Sequence, residues 1–599
     1  MSALPEGMIR EGSAEILSVA HEGTPPEAAA NTGKAGSEQK VFYNPAQVFN
    51  RDLSVLVLNV FSAMKTTEEE EKKRRWEEKD AKRRQEDPNY RPPGTSYPEY
   101  KGLTILEGLS ASGLRSIRYW KEVVGVESIV VNDFDATAVS HARRNVEHNG
   151  VPSERVRPNQ DDVNLHLYNN AKRYAVIDLD PYGTASPYLD SAIKGIRNGG
   201  LLCVTSTDMP ILGGNHPETC FYRYGGTALK ARYVHEMSLR LLMNAIAATA
   251  ARHQRNVEPL ASCSIDFYVR LFLRVHDTPV RAKELASKTG LVFQCCQCES
   301  FHVQHLGELE YGGKKARRGE GPTAPATSST APAPGDEGSK GPPQLPSKYK
   351  VPKAKESIGS NCHECGGRYS IGGPFYLGSL YSKEFIEGCL AVCDAESLEH
   401  VTSWKKITGL LTAMSEEIED IPLHYSLPSL CGLLRLDCMP ARQLKGTLQH
   451  LGYRVSHFHR EPAAIKTDAP NTVVFDILRK WAEHRGKKVG EPATDSAGTG
   501  GAPAVGGGST AQTGPKVGGG EGTTADGAAA VASRSKPKKQ KAPDPIAARI
   551  LEKPIATAQL EGLELEHMNI KDEERPRKVP RFLPNPEKFW GPKARAKPT

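Results

Sequence analysis

Asp180, Pro181, Tyr182 and Gly183 close a short apolar run, Tyr174-Ala175-Val176-Ile177-Asp178-Leu179, whose β-branched residues mark it as a buried strand. Such a strand delivers a carboxylate and an aromatic ring to the open C-terminal edge of a parallel sheet, where α/β folds keep their chemistry. An acid, then proline, then an aromatic suits the exocyclic amino group of a planar base. The carboxylate accepts from the N–H2, the proline fixes the turn, and the ring stacks on the base. The reaction these residue types predict is methyl transfer to a nucleobase nitrogen.

Three further strand ends carry compatible groups. Glu107-Gly108-Leu109-Ser110-Ala111-Ser112-Gly113 follows the first strand candidate and opens a helix, so that small residues let a ligand approach a helix N-terminus. Alone, this loop fits an ordinary strand-to-helix turn equally well. Asn132-Asp133 ends the next strand, placing a carboxylate where α/β cofactor enzymes bind ribose hydroxyls. Asp161-Asp162-Val163 follows the third, a position suited to an adenine amino group. Four sites at four consecutive strand ends are hard to explain by packing.

Cys295-Cys296-Gln297-Cys298 and Cys362-His363-Glu364-Cys365 form two Cys-x-x-Cys knuckles. Cys295, Cys298, Cys362 and Cys365 together suit tetrahedral Zn2+, with Cys296 and His363 as bystanders. The competing readings are a thioredoxin-like redox pair and buried free thiols, the latter the better account of Cys203, Cys263 and Cys431. The long gap between the knuckles is mostly a low-complexity stretch that can loop out at modest entropic cost.

Positioning these groups requires a doubly wound α/β domain. Strand candidates at 103–106, 127–132, 174–179, 201–206 and 265–275 alternate with helix candidates at 114–122, 135–148, 186–197 and 228–252. Opposite charges between 66 and 93 fall at helical spacing, compatible with a solvated helix, although a tolerated surface insertion is the simpler expectation. Residues 312–355 and the stretch from 486 onward are rich in Gly, Pro, Ser, Thr and Ala, and disorder is expected there and before residue 41.

The 599 residues exceed one core. A net charge of +7 spread over 78 basic and 71 acidic residues permits nucleic-acid binding without establishing it. Twelve cysteines in so long a chain are no disulfide scaffold, and no apolar run predicts a signal peptide or membrane span. An intracellular protein follows.

Phe42-Tyr43-Asn44-Pro45 with Asn50-Arg51-Asp52, Ser110 to Arg115, Asn132-Asp133, Asp180 to Gly183 and the paired knuckles, in this order, closely resemble the tRNA (guanine-26 N2)-dimethyltransferases. The likeness covers 41–64 and 100–482. It implies a Rossmann-like class I methyltransferase domain over 41–278, carrying the charged insertion 66–93. A smaller zinc-containing α+β tRNA-binding domain over 279–482 would follow, with the 312–355 insertion, between disordered 1–40 and a disordered basic tail at 486–599. The resemblance further implies S-adenosyl-L-methionine as methyl donor, structural zinc and a tRNA substrate, with no obligate protein partner evident. It places Arg51, Arg115, Asp133, Asp162 and Val163 at the cofactor. Asp180 is implied as the catalytic acceptor, with Phe42 and Tyr182 around the base. Arg442, Lys445, Tyr453, Arg454, His459 and Lys466 are implied as tRNA contacts. Val163 departs from the family pattern, which has alanine there. The basic run from Lys536 to Lys541 suggests nuclear import, with a mitochondrial fraction also compatible. Methylation of another RNA or DNA base, or zinc-dependent RNA binding without turnover, are the alternatives.

Overall fold

Alternating short apolar runs and amphipathic stretches fold into a twisted sheet with helices on both faces, in the computed structural model that describes residues 8–17, 43–87, 90–91, 96–310, 348–395, 401–485, 545–568 and 579–585. A hairpin of β1 (Met8–Glu11) and β2 (Ala14–Leu17) comes first, then α1 (Val48–Glu86). Next come β3 (Leu103–Glu107), α2 (Leu114–Glu122), β4 (Val126–Asp133), α3 (Ala136–His148) and β5 (Val156–Gln160). They continue into α4 (Val163–Asn169), β6 (Tyr174–Leu179), α5 (Leu189–Gly195) and β7 (Ile196–Ser206). Helices α6 (Met209–Leu212), α7 (Pro217–Tyr224) and α8 (Val234–Arg252) lead to a closing hairpin, β8 (Asn256–Ile265) and β9 (Tyr268–His276).

The seven strands lie in the order β5-β4-β3-β6-β7-β9-β8, with β9 alone running against the other six. The chain winds outward from β3 to β5 and then returns to β6 on the other side of β3. That reversal opens a crevice at the C-terminal ends of β3 and β6, the place where open α/β sheets bind ligands. Every residue of β6 is buried, as a central parallel strand requires. The predicted single strand at 265–275 is corrected to two. Asp266 sits at φ 42 and turns the chain so that Ile265 pairs with Tyr268. Glu258 and Pro259 had hidden the β8 pattern.

Three expectations of disorder are also corrected. Residues 8–17 form the hairpin, which is stitched to α3 by Glu15 N–H donating to Asn149 Oδ1 and Leu17 N–H to Asn145 Oδ1. Lys348–Lys350 pairs with Glu308–Glu310 as a short ladder. Within the tail, a helix at Pro545–Leu551 buries Ile550 against the C-terminal half, joined there by Leu560 and Leu565. Apolar residues this sparse in a Pro- and Lys-rich stretch give little local signal, yet each finds an apolar groove. The charged stretch to Glu86 is the outer half of α1, not a separate insertion. Pairs such as Glu71 with Arg75 and Asp80 with Arg84 follow helical spacing, and Glu68 bonds Arg274 of β9 at 2.6 Å.

Beyond β9, β10 (Thr289–Cys295), β11 (Phe301–His305), β12 (Glu308–Glu310), β13 (Lys348–Lys350) and β14 (Tyr369–Tyr376) carry the cysteine knuckles. Helices and a three-stranded sheet of Tyr425–Ser426, Glu461–Thr467 and Val455–Phe458 follow. One apolar cluster runs from the large sheet through Met237 of α8 to Phe375 and Phe458, so packing crosses the expected boundary at 278/279. Buried Lys466 lies within it, 2.6 Å from Glu417 and 3.0 Å from Glu236 of α8, and Glu236 also takes Arg240 and His424. This network joins the two halves of the chain. Among the described residues no helix is long and apolar enough to cross a membrane.

Candidate active site

The loop after β3 is tied to the ends of both neighbouring strands. Gly108 N–H donates to Asp178 O at 2.9 Å, Ser110 N–H to Asn132 O at 2.9 Å, and Ala111 N–H to Asp133 Oδ2 at 2.8 Å. Gly113 starts α2 at φ 73, and a Cβ there would stand 3.1 Å from that of Ala142, so glycine is required on both counts. Asp133 therefore supports the loop, its other oxygen accepting from Asp135 N–H at 3.1 Å. Asp162 caps α4 through Asn164 N–H at 2.7 Å. Val163 is buried, and its Cγ2 lies 2.9 Å from where a Cβ on Gly108 would be, so beside this valine position 108 has no room for a side chain. Ser110 Oγ is buried within this loop without a hydrogen-bond partner among the described residues. Such an atom in a cradle of small residues fits a polar ligand.

Asp180 stands just past the end of β6 with a side chain 21% exposed. Its Oδ2 is held by Arg115 Nη2 of α2, and its Oδ1 makes no hydrogen bond to any described residue. Tyr182 is 64% exposed beside it, and Gly183 turns the chain at φ 88 with open space where its Cβ would be. Phe42 lies outside the described residues.

Beneath Asp180 is a charge cluster that the sequence reading did not assign. Asp178, two residues earlier, points to the same face of β6. Arg270 of β9 grips it at 2.8 and 2.9 Å, Tyr119 donates to it at 2.5 Å, and Arg115 Nη1 lies 3.6 Å away. Ser54 of α1 accepts from both guanidiniums, at 3.1 Å from Arg115 and 2.9 Å from Arg270. Burial acts against its charge, but Arg270 and then Arg115 hold the Asp178 carboxyl down to about 2. Glu107 at the end of β3 behaves oppositely. Burial pushes it up to about 8, only partly offset by Arg115 and by bonds from Ser116. Two guanidiniums serve three carboxyls, and Glu107 is the one left protonated near neutrality. A polar residue within an otherwise apolar strand was the available signal for both Asp178 and Arg270.

Arg51 is held from the other side. Its Nε and Nη2 bond the Glu11 carboxylate at 2.6 and 2.5 Å, and Nη2 also donates to Asn44 O. Nη1 bonds no described residue. Glu11 also bonds buried Arg118 at 2.8 Å, which in turn pairs with Asp52 and Glu122. Thus Arg51 and Arg115 are each steadied by carboxylates.

Cys295, Cys298, Cys362 and Cys365 are buried with all four sulfurs within 4.8 Å of one another. Cys295 and Cys365 sulfurs are 3.4 Å apart and those of Cys298 and Cys362 are 3.7 Å apart, near the ~3.8 Å edge of a tetrahedron of thiolates around zinc. Gly366 turns the second knuckle at φ 76, and a Cβ on Gly367 would stand 3.1 Å from Cys295 Sγ. Cys296 is exposed and His363 faces solvent. The same region corrects part of the implied tRNA surface. His459 and Lys466 are buried and bonded to glutamates, and Arg454 is paired with Asp420 and Asp468.

A family model described as N2,N2-dimethylguanosine tRNA methyltransferase matches residues 23–479. A Drosophila melanogaster protein named tRNA (guanine(26)-N(2))-dimethyltransferase is 36% identical over 489 residues, covering 80% of this chain and 76% of its own. A Saccharomyces cerevisiae protein of the same name, designated mitochondrial, is 34% identical over 498 residues, 80% of each chain. The structure of Trm1 from Pyrococcus horikoshii in complex with S-adenosyl-L-methionine superposes with TM-score 0.54 at 23% identity, covering 78% of this chain and 98% of that one, so the fold is shared.

A pH prediction follows from Glu107. Its folded value lies above the ordinary 4.5, so the folded protein binds one more proton than the unfolded chain between about 4.5 and 8. Stability from this group therefore falls as pH rises through that window, by up to about 1.4 kcal/mol per pH unit. In Glu107→Gln, denaturant unfolding between pH 5 and 8 should lose that downward slope; a slope identical to wild type would contradict the assignment.

Proposed function

The chain belongs to the N2,N2-dimethylguanosine tRNA methyltransferase family, and from that premise we propose that it transfers two methyl groups in succession from S-adenosyl-L-methionine to N2 of guanine 26 in tRNA. The observation that carries the reading is Asp180, one oxygen fixed by Arg115 and the other open at the crevice beside Tyr182.

When bound, the cofactor supplies an electrophilic sulfonium methyl. Ser110 and the loop to Gly113, with Asp133, Asp162 and Val163, would hold its adenosine side, and Arg51 and Arg115 would hold its amino-acid end. A guanine amine is a weak nucleophile because its lone pair is delocalised into the ring. Asp180 Oδ1 would accept one N2 hydrogen, direct the nitrogen lone pair and take the proton as the N–C bond forms and the methyl's S–C bond breaks, its electron pair staying on sulfur as a neutral thioether. Arg115 keeps the carboxylate from rotating away. Tyr182 and Phe42 stack on the flipped base and exclude water. For the second transfer, the monomethylated nitrogen must turn its remaining hydrogen to Asp180. The open space at Gly183 accommodates the first methyl group.

The four cysteines hold one structural zinc that staples β10 to the segment before β14. The tail packs next to this staple, where Arg479 bonds Glu364, Asp476 and Ile550 O. Localisation is assigned to the nucleus through the basic run 536–541, outside the described residues, with a mitochondrial share in keeping with the yeast relative's name.

Asp180→Ala should lower the single-turnover methylation rate by about 10²–10⁴ while tRNA affinity stays within a few-fold. Nucleoside mass spectrometry of unmodified tRNA after incubation reads it; N2,N2-dimethylguanosine at the wild-type rate would refute the mechanism. Elemental analysis should find one zinc per chain. Cys295→Ser should lose it and unfold at lower denaturant, by several kcal/mol; a zinc-free wild-type protein of full stability would refute the site.

A further inference from the structure

The segment between β7 and α8 crosses the C-terminal edge of the sheet next to Asp180, and nothing in the mechanism above uses its middle part. Helix α7 packs by burying Cys220 and Tyr224, one turn apart. Tyr224 Oη bonds Thr184 Oγ1 at 2.7 Å and Asp208 Oδ2 at 3.1 Å. Ser186 Oγ donates to Arg223 O at 2.7 Å. The helix is thus bonded directly to the turn that carries Asp180 and Tyr182, and shares its position and rigidity.

Its opposite face presents two adjacent aromatic rings to solvent: Phe221 is 56% exposed and Tyr222 71%. Arg223 steadies the second, its guanidinium 5.7 Å from the Tyr222 ring centroid and anchored to Asp208 at 2.7 Å. Lys230, exposed close by in sequence, adds positive charge. Packing does not require rings in this position. Exposed aromatics on a rigid support beside a catalytic edge mark a recognition surface.

We propose that Phe221 and Tyr222 form a stacking platform for a nucleotide of the tRNA next to the methylated guanine. Flipping one base out of a helical stack leaves its neighbour without a partner on one face, and an aromatic ring restores that contact whatever the base. Arg223 and Lys230 then lie on the phosphate side. Tyr182 is itself exposed on the turn just before Thr184 and Ser186, to which α7 is bonded, so the flipped base and its neighbour would meet aromatic rings in sequence. This inference rests on the tRNA reading above and adds the residues that grip the substrate outside the catalytic pocket.

The test is steady-state methylation of an unmodified tRNA transcript by full-length Phe221→Ala and Tyr222→Ala. Because both side chains face solvent, melting temperature should stay at the wild-type value. The KM for tRNA should rise about ten-fold in each variant, in line with loss of one stacking contact. The KM for S-adenosyl-L-methionine should not move, and the dependence of tRNA binding on salt should keep its slope, since no phosphate contact is removed. Tyr222→Phe, which keeps the ring, should restore tRNA KM. Both alanine variants at wild-type KM for tRNA, with wild-type protein active, would overturn the platform alone. Wild-type protein that methylates no tRNA would overturn the function and the platform together.

Discussion

The paired carboxylates at the end of β6 govern the rest of the site. Asp178 and Asp180 share one face of the strand, and a buried carboxylate is tolerated only where cations and donors surround it. Arg270 reaches Asp178 from β9, Arg115 spans Asp178 and Asp180 from α2, and Ser54 of α1 accepts from both arginines. Four elements distant in sequence thereby converge beneath the Asp180 carboxylate. In the mechanism proposed for Asp180, catalysis is a matter of orientation, and the cluster would supply it before any ligand arrives.

The same arrangement explains why segments outside the sheet are part of the enzyme. The β1–β2 hairpin brings Glu11 to Arg51 and Arg118, so Arg51 is fixed by a residue forty positions earlier. Lys466 and Glu236 tie α8 to the C-terminal half through charges buried as thoroughly as those under Asp180. The cysteine cluster holds the end of β10 at the base of that half. Surfaces not used in this way, such as the outer face of α7, stay exposed.

Much of this was readable in advance where local pattern and chemistry coincide. The β6 strand falls at the predicted 174–179 and α2 at 114–122, because a buried parallel strand and an amphipathic helix each have a clear period. The four cysteines were readable despite their separation, because knuckle spacing is local and the intervening chain is permissive. Partner choice was not. Nothing near Glu11 signals Arg51, and Lys466 and His459 look like RNA ligands until their glutamate partners are placed beside them. Tail residues such as Ile550 and Leu560 are too sparse to announce a packed segment, and only the groove that receives them gives them a role.

The central claim is that buried charge orients Asp180, and it is tested most directly on a residue that touches neither substrate. In Arg270→Lys the charge remains but the two-point grip on Asp178 is lost. The account predicts that the single-turnover rate of methyl transfer at saturating tRNA and cofactor falls about ten-fold or more, with both dissociation constants unchanged. A folded Arg270→Lys protein that transfers methyl at the wild-type rate would contradict it.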